Sequence, residues 1–360
     1  MMRIPVLLVA ATLLGATSSA QAPPFRFAAS PDPLRLASLP FDPAGAALPP
    51  PGGWQVAASV AYFNLWQGTW HAGALHRELH REGQPLANAE LRELERRYPD
   101  TDIYHIDLEG WLGEVVVSRG LPGGIALSLR LPWLAVGTPH WDAVGERWHS
   151  LFGMPDADRG LFPRSQTLLY ARGRGGMIER REELGGSELG DATLSLAVAL
   201  PPALHGAHRL VAALEAPTGE RGTLAGSGGW DAGVRWFGSW QWRSRNLLLG
   251  AGYTWLDRNG ELLGLERADI WHLLAQLEQR LGKGFSGVVA MSYDRSPLAG
   301  FTRSALGKPA AFLRLGVVRQ TGTQSWVGFE LGQDFYGAGV APDYAFRLQA
   351  GTVFPGPAGR

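Results

Sequence analysis

Several histidines, carboxylates and glycines have the types and spacing that chemistry would need. His76 and His80 stand four residues apart with His71 upstream. On a helix over Ala74 to Arg81 that spacing would offer imidazoles to a metal. A solvated loop accounts for the same residues. His149-Ser150, with Asp142 nearby, has the residue types of a nucleophile, a base and an orienting acid. Neighbours on a helix point about 100° apart, which disfavours a direct His149–Ser150 pair. Gly282-Lys-Gly284-Phe-Ser-Gly287 matches the glycine spacing of a dinucleotide site. That site requires a helix after the glycines, whereas a strand pattern follows here, so a turn is the reading. No Gly-x-Ser-x-Gly elbow occurs. There is no cysteine, which excludes disulfides and thiolate-ligated metals. No catalytic, cofactor or metal residue is therefore assigned, and no cofactor is expected.

The other charges follow a stricter rule. In short runs from Trp54 onward, apolar residues occupy one parity and small or polar residues the other. In Asp231 to Arg243, Ala232, Val234, Trp236, Trp240 and Trp242 oppose Asp231, Arg235, Ser239, Gln241 and Arg243. Such a period of two belongs to strands, whose successive side chains point to opposite faces. The same split recurs over 125–133, 193–200, 269–281 and 344–354. Arg130, Glu215, Asp231, Arg235, Glu278, Arg280, Arg314, Glu330 and Arg347 all fall on the polar parity. Asp107 and Glu109, with His105, share one face of a further strand and are assigned to the same charged face.

A soluble sandwich also alternates. Two features favour a barrel in lipid. Trp230 and Trp240 share a face ten residues apart, as do Tyr344 and Phe354. Ten residues at ~3.3 Å and ~40° tilt rise about 25 Å, the height between the aromatic girdles of outer-membrane barrels. The polar face also carries long charges of both signs, which suits a wet or salt-bridged lumen. Fourteen runs can be counted between 54 and 354, with short turns alternating with longer loops. The expected fold is all-β: a transmembrane antiparallel up-and-down barrel of about 14 strands, both ends periplasmic. The pair near 165–172 and 177–183 is the least regular. Were it one strand, another would have to be found or lost, so twelve is the alternative. Fourteen strands imply a backbone width of roughly 28 Å. Asn88 to Tyr98 and Trp141 to Phe152 read as short amphipathic helices in two external loops, expected over the barrel mouth. The second carries Val144, Trp148 and Leu151 on one face.

Composition bounds the rest. The chain has 360 residues, 48 of them glycine, and Lys+Arg and Asp+Glu balance at 33 each. That balance implies no attraction to nucleic acid. Arg3, the apolar run Ile4 to Ala16 and the small residues Ser18-Ser19-Ala20 read as a signal peptide over 1–20. No later run of 18 apolar residues follows. Residues 21–52 carry nine prolines and read as a periplasmic linker or a plug. The barrel is assigned to 53–354 and a tail to 355–360.

Several phrases in order resemble an uncharacterised family of proteobacterial outer-membrane β-barrel proteins, a domain of unknown function. They are Ala61-Tyr62-Phe63-Asn64, Asp107 and Glu109, Arg119-Gly120-Leu121, Leu131-Pro132-Trp133, and Phe152-Gly153-Met154-Pro155. Gly190-Asp191, Pro217-Thr218-Gly219, Gly226-Ser227-Gly228, Asp231, Leu306-Gly307-Lys308-Pro309, Gln333-Asp334 and Ala341-Pro342-Asp343 continue the series. Asp142, Glu146, His149 and Arg159 match that family's second external loop, where they read as a loop-packing cluster. The chain departs at Gln333, where an acid is usual, and at Val115 to Ser118, where an aromatic-rich strand is usual. The resemblance implies an outer-membrane barrel in a Gram-negative cell and no particular activity. The expected role is a permeability channel for small solutes. The alternatives are a hydrolase of outer-membrane lipids, or a structural or assembly barrel. Expected partners are outer-membrane lipids, the barrel assembly machinery and a small-molecule solute, and no nucleic acid.

Overall fold

The computed structural model describes residues 25–43, 47–137, 141–153, 158–164, 166–173, 176–180, 184–201, 206–334 and 339–356. The signal-peptide region lies outside them. Twelve antiparallel strands close into a barrel. In chain order they are β1 (Trp54–Gly68), β2 (Ile103–Leu121), β3 (Ile125–Val136), β7 (Ala192–Ala199), β8 (Ala207–Ala216) and β9 (Asp231–Trp242), then β10 (Arg245–Trp255), β13 (Ile270–Gly282), β14 (Phe285–Asp294), β15 (Ala310–Gln320), β16 (Ser325–Asp334) and β17 (Tyr344–Phe354). The last strand pairs with the first, from Trp54↔Phe354 to Asn64↔Tyr344, so the ring has no open edge. Lipid offers backbone groups no hydrogen bonds, and closure satisfies them all within the sheet.

The barrel therefore takes the twelve-strand alternative, about 24 Å across by the usual spacing and tilt. The difference lies at the long strand β2. Gly110 to Leu121 pair with β3, while Ile103 to Asp107, beyond the point where β3 leaves, pair with β4 (Leu168–Gly173). β4 and β5 (Gly176–Arg180) thus form a hairpin branching from the top of β2 instead of two barrel staves. β6 (Gly186–Leu189) caps the upper end of β3 below that branch, and β11 (Glu261–Leu262) pairs with β12 (Leu265–Glu266) in an outer loop.

The outward parity of the staves is apolar and exposed. Leu129, Leu131, Leu194, Leu273, Val289, Leu315 and Val317 form the belt. Trp54, Trp242, Phe285 and Phe354 stand at the short-turn end, and Trp230, Tyr253, Trp255 and Tyr293 at the other. These are the two aromatic girdles of an outer-membrane barrel. The glycine-spaced phrase at 282–287 is the β13–β14 turn: Gly282, Lys283 and Gly284 all have positive φ, at 97°, 52° and 78°. Among the described residues, no helix is long and apolar enough to cross a membrane.

Among the described residues, α-helices punctuate the long-loop end: α1 (Trp70–Glu78), α2 (Asn88–Arg97) and α3 (Asp142–Phe152). α2 and α3 are the two helices that the sequence places over the mouth. Instead they lie against the outside of the wall. Leu75 of α1 and Leu91 and Leu94 of α2 form a small core with Trp66, Ile103, Leu168 and Tyr170, residues of the outward parity. The reason is strand length: β1 and β2 rise past the lipid belt, and their outward side chains there need a cover.

On the outer face, Leu315→Arg at mid-height should cost roughly 2–4 kcal/mol, the scale for a cation at the bilayer midplane. Denaturant unfolding in vesicles measures it, and folded wild-type barrel should run faster on detergent gels unboiled than boiled.

Candidate functional site: the barrel lumen

Residues 25–43 lie inside the barrel as a two-limbed strap. Phe25 begins near the short-turn end, against Trp326 with ring centroids 5.0 Å apart. The chain climbs to a 3-10 turn at Pro33–Arg35, where the Asp32 carboxylate accepts from Leu34 N at 3.0 Å and from Arg35 Nε at 2.7 Å. It then descends through Leu39 and Phe41, and Gly52 N reaches Gly120 O at the short-turn end (2.8 Å). Prolines suit this path, because an extended strap needs few backbone donors.

The wall meets the strap in two ways. Its polar side chains take the strap's backbone groups. Phe25 N donates to Glu278 Oε2 (3.1 Å) and Phe27 N to Gln276 Oε1 (3.3 Å), while Gln276 Nε2 returns a bond to Phe25 O (2.7 Å). Arg314 Nη1 donates to Ala28 O (2.8 Å) and Arg267 Nη1 to Ala37 O (2.6 Å), and in the other direction the strap's Arg35 Nη1 donates to Arg295 O (2.9 Å). Its glycines make sockets for the strap's rings. A Cβ on Gly316 would stand 2.8 Å from the Phe27 ring, and one on Gly250 or Gly252 would stand 2.9 or 2.8 Å from the Phe41 ring. Phe41 also stacks on His272 (5.1 Å) and touches Phe237 (5.0 Å).

Of the residues assigned to the lumen, nine are on the inward parity. Arg130 pairs with Glu114, its Nε 2.9 Å from Oε1, and Ser59 Oγ donates to the same carboxylate at 3.3 Å. A cross-strand row runs Arg130, Thr193, Glu215, Asp231 through β3, β7, β8 and β9. Asp231 is held by Arg267 through a two-pronged pair, Nη1–Oδ2 2.6 Å and Nη2–Oδ1 2.9 Å, with both side chains fully buried. Glu330 stands opposite Arg347 in the β16–β17 register. Glu278 and Arg314 hold the strap, Arg235 lies beside the Phe41 sockets, and Arg280 is half-buried near the short-turn end. Many donors here have no protein partner. Among the described residues, Arg347 Nε, Nη1 and Nη2, Arg235 Nε and Nη2, Arg314 Nε and Arg130 Nη1 make no hydrogen bond. A small cavity of about 30 Å³, room for a water molecule, lies between strap and wall, lined by Ser38, Phe41, Arg130, His272, Ser292 and Arg314 among others.

Alternation assigns Asp107 and Glu109 to the lumen, whereas the register puts them on the outer face. In β2 the inward parity is Ile106, Leu108, Gly110, Leu112 and Glu114, and the exposed Val115 marks the other face. Asp107, Glu109 and His105 belong to that outward face and are buried there by loops. Alternation alone identifies two faces, and above the membrane both faces of β2 are covered, so neither reads as lipid.

The external-loop set divides. Asp142 and Arg159 form an ion pair on that outer wall; Asn64 Nδ2 donates to Asp142 Oδ1 (3.1 Å), and Arg159 lies 3.7 Å from Asp343. Burial holds the Asp343 carboxyl well above its ordinary range, with repulsion from Asp334 adding and Arg159 opposing. Glu146 pairs with Arg164 at the surface (2.9 Å). His149 is buried on the docked face of α3 and Ser150 exposed on the other, so they do not form a nucleophile–base pair. His80 lies past the end of α1 with φ 52°, off the helix that carries His71 and His76. His76 sits 3.5 Å from Glu90, and burial pushes its imidazole below the ordinary value against the pull of that acid. Among the described residues no three metal-type ligands converge.

Reasoning from sequence missed Arg267, which sits in a loop and carries no strand parity. His272 and Gln276 fall on the polar parity of 269–281, but their partners, Asp294 (2.9 Å) and the strap backbone at Phe25, are visible only in the fold. Removing one partner of the Asp231–Arg267 pair strands a buried charge. Arg267→Met should therefore lose about 3–5 kcal/mol of stability, and Arg267→Met with Asp231→Leu should regain most of it. Denaturant melts of the single and double variants read this directly.

No protein-family description matches the chain, and no curated protein matches it in sequence. Solved structures do. An outer membrane channel from Pseudomonas putida F1 superposes with a TM-score of 0.53 at 12% identity, covering 87% of this chain and 100% of that one. The Pseudomonas putida toluene transporter TodX gives 0.38 at 8% identity over 92% and 98% of the two chains. A KdgM porin in complex with disordered oligogalacturonate gives 0.37 at 8% over 70% and 96%. The first likeness is one of fold: this chain has the transmembrane β-barrel fold of that outer-membrane channel.

Proposed function

We propose that the chain is a permeability channel for small solutes in the outer membrane of a Gram-negative cell, held shut by the strap at 25–43. The observation that carries this reading is a set of buried arginines, Arg130, Arg235, Arg314 and Arg347, each with at least one guanidinium nitrogen that lacks a protein partner among the described residues. A buried cation left unmet is costly, and such groups in a barrel interior are met by water. A hydrated seam between strap and wall is the start of a passage, and the small cavity lined by Arg130, His272 and Arg314 lies along it. The strap's attachment supports the same reading. It is held by hydrogen bonds to polar side chains and by rings in glycine sockets, contacts that water and solute can replace without breaking a stave. Solute chemistry follows from the wall: charges of both signs, Arg130 and Arg314 against Glu114 and Glu330, favour small polar solutes over strictly anionic or cationic ones. The likeness to channel structures of the same fold is consistent with this role. Residues 1–20 are read as the export signal. The finer placement, in the uncharacterised proteobacterial barrel family, rests on the ordered phrases from Ala61 to Asp343.

Planar-bilayer recording tests the proposal. Deleting 25–43 should raise single-channel conductance several-fold over the full mature chain. Gly252→Val, which pushes a side chain into the Phe41 ring, should give frequent partial openings. A deletion variant that is folded, by its heat-dependent gel shift, yet never conducts would overturn it.

A further inference from the structure

Helix α3 is amphipathic the wrong way round for a helix packed on a soluble protein. Asp142, Gly145 and His149, spaced three and four residues apart, form its docked stripe and are buried. Asp142 reaches Asn64 and Arg159 on the wall, and a Cβ on Gly145 would stand 2.1 Å from the Tyr344 ring, so only glycine allows so close an approach. The opposite face carries Val144 and Leu151, 50% and 77% exposed, and Trp141 just before the helix is 41% exposed. A helix gains by turning polar residues to the protein and apolar ones away only if what lies beyond is apolar.

The lipid belt lies directly below. Asn64, Glu109 and Tyr344, which α3 and its approach touch, are outward residues of β1, β2 and β17. Trp141 stacks on Phe346 (5.2 Å) and meets Trp111 (6.0 Å) and Tyr62 (5.5 Å). Beneath these rings, on the same strands, stand the exposed belt residues Leu348, Val115 and Val60. Apolar surface therefore runs from the belt through Phe346 and Trp111 to Trp141 at the start of α3, the helix that exposes Val144 and Leu151. Phe346 lies eight residues above the lower girdle residue Phe354, a rise of roughly 20 Å at ~3.3 Å per residue and ~40° tilt. Trp141 and α3 sit just above it, at the upper boundary of the ~25 Å apolar band. Arg147 is exposed on the helix, within reach of the headgroup layer.

We propose that α3 is a membrane-interface helix: Val144, Leu151 and Trp141 are embedded among the acyl chains at the upper edge of the outer leaflet. The lipid holds the helix down over the buried Asn64–Asp142–Arg159 cluster, which it shields from the bilayer. This is independent of whether the barrel conducts.

The chain contains no cysteine, so single-cysteine nitroxide labels can be placed cleanly. Val144→Cys and Leu151→Cys, in the full mature protein reconstituted in phosphatidylcholine–phosphatidylglycerol vesicles, would be compared with two references. These are Leu315→Cys in the lipid belt and Glu82→Cys in an exposed loop. Collision with oxygen over a polar nickel complex should be favoured at 144 and 151 as at 315, with a ratio several-fold above that at 82. A nickel-dominated ratio at both helix sites, like that at 82, would overturn the proposal. So would dipolar broadening between labels, which would seat a second copy of this chain on α3.

Discussion

The hydrocarbon of a bilayer gives a peptide N–H or C=O nothing to bond with, and every other feature of this chain answers to that constraint. It demands the continuous ladder from β1 round to β17, and the register Trp54↔Phe354 that joins the ends. It makes each residue either lipid-facing or enclosed, with no third choice over the height of the belt. Alternation in the sequence is the trace of that choice, and the exposed leucines and valines of the outer face are its product. The absence of cysteine follows comfortably, because a sheet closed on itself has no loose edge to staple.

Enclosure produces a second problem inside. Twelve staves leave a space that their own side chains do not fill, and the wall supplies charges where a soluble core would supply apolar groups. The strap resolves part of this. Its rings enter positions where the staves carry glycine, and its backbone is taken by Glu278, Gln276, Arg314 and Arg267. The high glycine content therefore has two physical origins: turns such as Gly282–Gly284, and sockets such as Gly316 and Gly252. Several arginine nitrogens have no protein partner among the described residues, which separates this interior from a packed core.

Above the belt the rule relaxes and the wall is used on both sides. β1 and β2 continue upward, their outward residues become polar and aromatic, and helices cover them. The outcome is a layered exterior: bare apolar staves below, then an aromatic shelf of Tyr62, Trp111, Trp141 and Phe346, then a sealed ion-pair cluster under α3. Where a stave ends as a membrane element and begins as a soluble one is decided by what packs on it.

The sequence by itself determined the barrel, its lipid face, its aromatic girdles and the inward sorting of Arg130, Glu215, Asp231 and Arg347. Each of those is a local consequence of side chains alternating across a strand. The tertiary structure alone decided four other things. It set twelve staves over fourteen, because the branch of β4 from the top of β2 is a pairing choice that no local pattern encodes. It put Asp107 and Glu109 outside, because parity names two faces without saying which one a loop will cover. It turned α3 outward, because an apolar stripe has the same spacing whether it meets protein or lipid. And it brought Arg267 to Asp231, 36 residues away, because a loop residue finds its partner only once the barrel has closed.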